Sequence, residues 1–131
     1  MKDMMMEIYS ALMANPTIAD LVGPKRIKFY QLEDSFEAST GPFIIIDTLN
    51  PQQSAYFVAD KVASKQFAYQ INVESTASNI TKQLAKAVED VMRANGFGQL
   101  SGGLDTYFKE TKRFVDARRY RKNTTIHDTD Y

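Results

Sequence analysis

Between Phe67 and Asn95 the hydrophobic period of the chain switches from two residues to 3.6. Phe67, Tyr69, Ile71 and Val73 alternate with Ala68, Gln70, Asn72 and Glu74, the pattern of a strand with one buried and one wetter face. Ile80, Leu84, Val88 and Val91 then recur at i, i+4, i+8 and i+11, which is the apolar stripe of an amphipathic helix. Ser78 or Thr76 stands where a helix cap is needed, and Asn95-Gly96 supplies a left-handed stop. A chain that must satisfy both periods within one short stretch belongs to the α+β class.

The flanking segments extend this pattern. Met5, Ile8 and Leu12 share a helical face, so residues 3–14 read as a second amphipathic helix that ends at Asn15-Pro16. Thr17 to Val22 adds one more turn before Gly23-Pro24. Arg26 to Leu32 reads as a strand, Glu33 to Gly41 as an acidic loop, and Phe43-Ile44-Ile45-Ile46 as a central strand covered on both faces or placed mid-sheet. Gln52 to Lys65 has a weak pattern: Tyr56-Phe57-Val58 can start a strand, or the segment can be a hairpin arm. Phe97 to Gly103 reads as a glycine-rich turn, Leu104 to Phe108 as a short strand or helical turn, and Lys112 to Arg121 as a last strand. In that strand Phe114, Asp116, Arg118 and Tyr120 alternate with Val115, Ala117, Arg119 and Arg121. Short connections favour a small antiparallel sheet with the two amphipathic helices packed on one face.

At 131 residues with no linker-like composition break, the chain is expected to form a single domain over 1–131. Residues 1–2 and 123–131 are polar ends expected to fray. Its 44% hydrophobic residues suffice for a core without staples. There are no cysteines, which removes disulfides, thiol nucleophiles and cysteine-based zinc sites. Charges near the N-terminus do not suit a signal peptide, and no apolar run approaches a membrane span. The expectation is a soluble, intracellular protein with no membrane partner.

The residues offer little for catalysis. The one histidine, His127, lies in the polar tail, where nothing holds it as base or ligand. Asp47, Glu33, Asp34 and Glu37 are the carboxylate candidates, and they read more simply as strand-end and loop groups. The glycines from Gly96 to Gly103 follow a helix and lack the lysine and hydroxyl of a phosphate loop. Met4, Met5, Met6 and Met13 suit adaptable packing. The reading is therefore a non-enzyme without cofactor or metal.

One local bias stands out. From Lys109 to Lys122 seven basic residues face two acidic ones, a local excess of five in a chain whose 16 basic and 16 acidic residues cancel. The tract includes Lys112, Arg113, Asp116, Arg118, Arg119 and Arg121, with Phe108, Phe114 and Tyr120 nearby. Basic residues interleaved with aromatics can follow a nucleic-acid backbone. The same pattern suits an edge strand whose charges block pairing or meet acidic groups of a neighbouring subunit. Overall neutrality favours the interface, and Asp116 suits an ion pair with Arg118 or Arg113.

The run Glu110-Thr111-Lys112-Arg113-Phe114-Val115-Asp116-Ala117-Arg118-Arg119-Tyr120-Arg121 resembles the C-terminal signature of siphophage tail-terminator, or tail-completion, proteins of phages of Gram-positive bacteria. Pro42 to Ile46, Tyr69 to Glu74, and Asn95-Gly96-Phe97 before Asp105-Thr106-Tyr107-Phe108 are its companions. The resemblance implies a structural virion protein at the head-tail junction, a typically hexameric ring that caps the tail tube and meets the head connector. Its implied partners are further copies of itself, the tail tube protein and the head-completion protein, with DNA only as passing cargo and a monomer possible before assembly. In such a ring Lys112, Arg113, Asp116, Arg118, Arg119 and Arg121 form the candidate interface or channel, and Glu33, Asp34 and Glu37 the acidic partner loop. A head-completion or connector adaptor is the alternative, followed by a nucleic-acid module using the basic strand.

Overall fold

The structure, a computed structural model, describes residues 2–32, 41–49, 53–58 and 61–124. Helix α1 (Met4–Met13) opens the chain, followed by α2 (Pro16–Leu21) and a short 3-10 turn at Pro24–Arg26. Strands β1 (Ile27–Phe29), β2 (Phe43–Thr48), β3 (Gln53–Val58) and β4 (Lys61–Ser75) precede α3 (Ser78–Ala94), and β5 (Gly98–Phe108) and β6 (Arg113–Asn123) follow it. The α+β class expected from the periodicities is what forms.

Each helix boundary has a local cause. Asp3 caps α1 by accepting from the Met5 N–H at 3.0 Å. Asn15 ends α1 and at the same time caps α2, accepting from the Ile18 N–H at 3.2 Å, with Pro16 at the first position where its missing N–H costs nothing. Helix α3 is entered without a side-chain cap: neither Thr76 nor Ser78 serves, and the N-cap is Ala77. The polar work passes to buried Ser75 and Thr81, whose hydroxyls lie 2.6 Å apart and both donate to the Ala77 carbonyl or to each other. At its other end Gly96 takes φ 87°, and the N–H groups of Gly96 and Phe97 donate to the carbonyls of Arg93 and Met92. Those two bonds close a Schellman stop, and they deliver Phe97 into the core beside Met92.

The strands form one sheet in the order β1-β2-β4-β6-β5, with β3 pairing β4 alongside. All pairs but one are antiparallel. The sheet is thus mostly antiparallel, as expected, and the exception is β1, which runs parallel to β2, Ile27 opposite Ile44 and Phe29 opposite Ile46. Residues 30–42 separate these two strands, enough for the crossover of about a dozen residues that a parallel pair requires. The first strand is also shorter than its β-forming composition suggests, because Pro24 opens a 3-10 turn and Tyr30 leaves the extended region at φ 68°.

One continuous core lies between the helices and one sheet face. Ile44, Ile46, Phe67, Tyr69, Ile71, Val73 and Tyr120 meet Ile8, Leu12, Ile18, Leu84, Val88 and Met92 there. Each fully buried Leu, Ile or Val of this set contributes about 1.5–3 kcal/mol. Phe43, Ile45, Val115 and Ala117 point from the opposite face and are buried too. The uninterrupted apolar run Phe43–Ile46 therefore belongs to a strand covered on both faces.

Of Gln52 to Lys65, weak in pattern, the described residues form β3 and the first third of β4, paired antiparallel with each other. The glycine-rich stretch is not a turn but part of β5, interrupted by a bulge between Leu100 and Leu104. Gly102 and Gly103 there have φ 94° and 102°, and a Cβ on Gly103 would stand 2.2 Å from the Ala117 carbonyl oxygen. Only glycine lets the bulged backbone approach β6 that closely.

Candidate functional site

The basic tract becomes β6, and it is an interior strand. It pairs with β4 from Phe114 through Asn123 and with β5 from Arg113 through Arg121, so the expected edge position does not hold and its charges block no pairing. The side-chain alternation of the strand then splits the tract between two faces.

On the helix side, Asp116 is 2% exposed and sits at the centre of an ion network. Arg118 donates to both of its carboxylate oxygens, at 2.9 and 3.2 Å, and Lys82 Nζ donates to it at 2.9 Å. Lys82 also bonds Asp105 on β5. Arg118 reaches Glu89 on α3 at 2.8 Å, and Glu89 pairs with Arg93 at 3.0 Å. Burial penalises the Asp116 charge, but the hydrogen bonds from Arg118 and Lys82 outweigh it and hold the carboxyl below its ordinary value. The bond to Asp116 correspondingly raises Arg118. Lys82 is raised too, its bonds to Asp105 and Asp116 overcoming desolvation. The network ties α3, β6 and β5 together.

Tyr120, on the same face, is fully buried, and its hydroxyl has no hydrogen-bond partner among the described residues. Burial pushes that phenol up to about 12.

On the opposite face Arg113 is 5% exposed, with its guanidinium 4.7 Å above the Phe43 ring and 4.0 Å from Glu74. It donates to the Gly41 carbonyl at 3.2 Å, and Arg26 donates to the same oxygen at 2.8 Å. Burial lowers Arg113 and raises Glu74, each against the attraction of the other. Arg119 donates to Gln70 at 3.0 Å and lies across the bulge at Gly102. Back on the helix side, Lys122 stands 5.6 Å over the Phe97 ring. Arg121 is exposed at the end of the row, and Lys112 is exposed in the β5–β6 turn at φ 56°.

The six tract residues therefore do not make one surface. Asp116 and Arg118 are absorbed by the helix side and Arg113 by the opposite face, while Arg119, Arg121 and Lys112 stay more accessible. Of the two ion-pair options for Asp116, Arg118 is the partner and Arg113 is not. Glu33, Asp34 and Glu37 lie outside the described residues, as does His127. Asp47 is a half-buried residue near the end of β2. Lys82, Glu89 and Asp105 were not singled out from the sequence. Their signal was the seven-residue spacing of Lys82 and Glu89 on one face of α3. Among the described residues no three His, Asp or Glu side chains converge as metal ligands, and no helix is long and apolar enough to cross a membrane.

The accessible feature is the neighbouring strand. Among the described residues β5 is paired on one side only, and Leu104, Tyr107 and Phe108 on it are 46, 45 and 39% exposed.

The family model described as "Tail completion protein gp17" matches residues 6–127 of the chain. Among solved structures, a chain from "Virion of native gene transfer agent (GTA) particle" is similar at a TM-score of 0.63 and 18% identity, covering 88% of this chain and 90% of that one. No curated protein sequence matches. The structural likeness is one of fold.

Proposed function

This chain belongs to the tail completion protein gp17 family, and from that membership we propose that it closes the phage tail tube as a ring of identical subunits at the head-tail interface. The family role, structural and located in the virion tail, is the premise. Capping and ring formation are the finer reading. The observation that carries it is the span of the family match: residues 6–127 take in all but the first two residues of α1 and every later element through β6, so the tail-completion role comes with the whole fold and not with a fragment of it.

The electrostatics support assembly over nucleic-acid binding. Nucleic-acid modules keep their cations free for phosphates, whereas here Arg118 and Arg113 are committed to internal partners and Arg119 to Gln70. In the ring, the exposed Arg121 and Lys112 meet acidic groups of the next copy, with Glu33, Asp34 and Glu37 as the partner stretch, and DNA passes only as cargo. The tail tube on one side and the head-completion protein on the other are the remaining partners.

Negative-stain microscopy of the purified protein with and without tail tubes tests this reading. A ring seated on tube ends is expected, and particles lacking the gene should carry overlong or unfinished tails. Intact tails with heads that leak DNA would instead make the protein a connector adaptor.

A further inference from the structure

Resting on that ring reading, we infer that the free edge of β5 takes strand β3 of a second copy, so that neighbouring sheets join edge to edge. Among the described residues strand β5 is hydrogen-bonded to β6 alone. Its eleven residues include one charge, Asp105, and no proline. Long edges of this kind are normally guarded by lysine, proline or a covering loop, because an unpaired row of N–H and C=O groups recruits another strand. Beyond the bulge, Leu104 to Phe108 returns to regular register with β6. Among the described residues, three of the five exposed large hydrophobic side chains fall in that short run. Leu104 and Phe108 point to one face and Tyr107 to the other, so an incoming strand gains apolar contact above and below as well as backbone bonds.

The occupant is another copy because the same sheet carries the matching edge. Strand β3 pairs only with β4 among the described residues, and its six residues contain no charge. Its six residues, with a register shift around Tyr56, are about as long as the five-residue regular stretch of β5. Charge selects this arrangement over pairing β5 with β5. The tract with five excess positive charges forms β6, beside β5, whereas β3 carries no charge of its own. Copies joined β5 to β3 set the basic tract against an uncharged strand; copies joined β5 to β5 bring two basic tracts together. A contact between different patches repeats head to tail and closes only as a ring or runs on as a filament. One pair of short strands buries less than the roughly 1,200 Å² of a stable interface, so each contact is weak until the ring closes or a tube end templates it.

Because the chain has no cysteine, an introduced pair reports the contact directly. Thr106→Cys combined with Ala55→Cys or Tyr56→Cys covers both faces of the incoming strand. The two positions lie on opposite sides of one sheet, so no link forms within a copy. Oxidation on tail tubes should give a ladder of linked copies from at least one double variant, with each single variant monomeric on a non-reducing gel. Dimers from Thr106→Cys alone would show β5–β5 pairing and overturn the inference. So would rings that form, by light scattering and microscopy, with no link between copies, although the ring reading would survive. An independent arm uses Leu104→Lys: the unfolding midpoint should stay unchanged while assembly on tubes falls at least tenfold. Unimpaired assembly of that variant overturns the inference. Wild-type protein that forms no ring on any tube overturns the reading beneath it.

Discussion

β5 and β6 are hydrogen-bonded neighbours of equal length, eleven residues each, and they are opposites in chemistry. β6 holds Arg113, Asp116, Arg118, Arg119, Arg121 and Lys122, yet it lies inside the sheet with Arg113 and Asp116 buried. β5 holds one charge and lies at the edge with apolar side chains in solvent. Charge density along a chain therefore does not locate the surface. A charged strand can be interior when each buried charge meets a partner, and an uncharged strand at an edge marks where another chain can bind.

The sharpest way to break this contrast is at the bulge that lets the two strands lie together. Gly103→Ala places a Cβ into the Ala117 carbonyl oxygen at a φ of 102°, and it should cost about 3 kcal/mol or more in a denaturant titration. Next comes the buried centre of β6. Asp116→Asn leaves Lys82 and Arg118 without their shared carboxylate. Breaking a fully buried pair costs about 3–5 kcal/mol; Lys82 and Arg118 retain part of their hydration, which brings the expected loss to about 2 kcal/mol.

The pH dependence sharpens that prediction. The Asp116 carboxyl lies below its ordinary value in the fold, so its contribution is present above the unfolded value near pH 4 and is lost as pH falls through the lowered folded value. The stability gap between wild type and Asp116→Asn should accordingly shrink as melts are taken further below pH 4. A gap that stays constant down to pH 2 would mean the carboxylate charge is not what holds the network.

Smaller effects follow. Tyr120→Phe removes a buried hydroxyl that has no partner among the described residues, so thermal unfolding should show no loss and up to about 1 kcal/mol of gain. Smallest of all for the isolated chain is Leu104→Lys on β5, which should change monomer stability by less than about 0.5 kcal/mol. Its effect belongs to assembly, where its β6 counterparts have least to contribute.

Legibility in the sequence tracked the range of the interactions involved. The period-2 run Phe67–Glu74 lies within β4 and the stripe Ile80–Val91 within α3. The Asn95-Gly96 stop was readable because a left-handed glycine is a local requirement. The glycines at 102 and 103 misled for the same reason: their positive φ suggests a turn, and only the approach of Ala117 makes it a bulge. Asp116 was recognisable as an ion-pairing residue within its own strand, since Arg118 is two residues away on the same face. Lys82 and Glu89 lie about thirty residues from it in sequence and enter only through the packing of α3 on β6.

Secondary structure here follows from side-chain periodicity and caps, which act over a few residues and need no knowledge of the rest of the chain. Strand order does not. Whether β6 is an edge or an interior strand, and whether β1 runs parallel or antiparallel to β2, depends on which distant backbone groups satisfy one another's hydrogen bonds across the sheet. That choice, made only when the sheet closes, buries the most charged strand of the chain and leaves the least guarded one free to meet another copy.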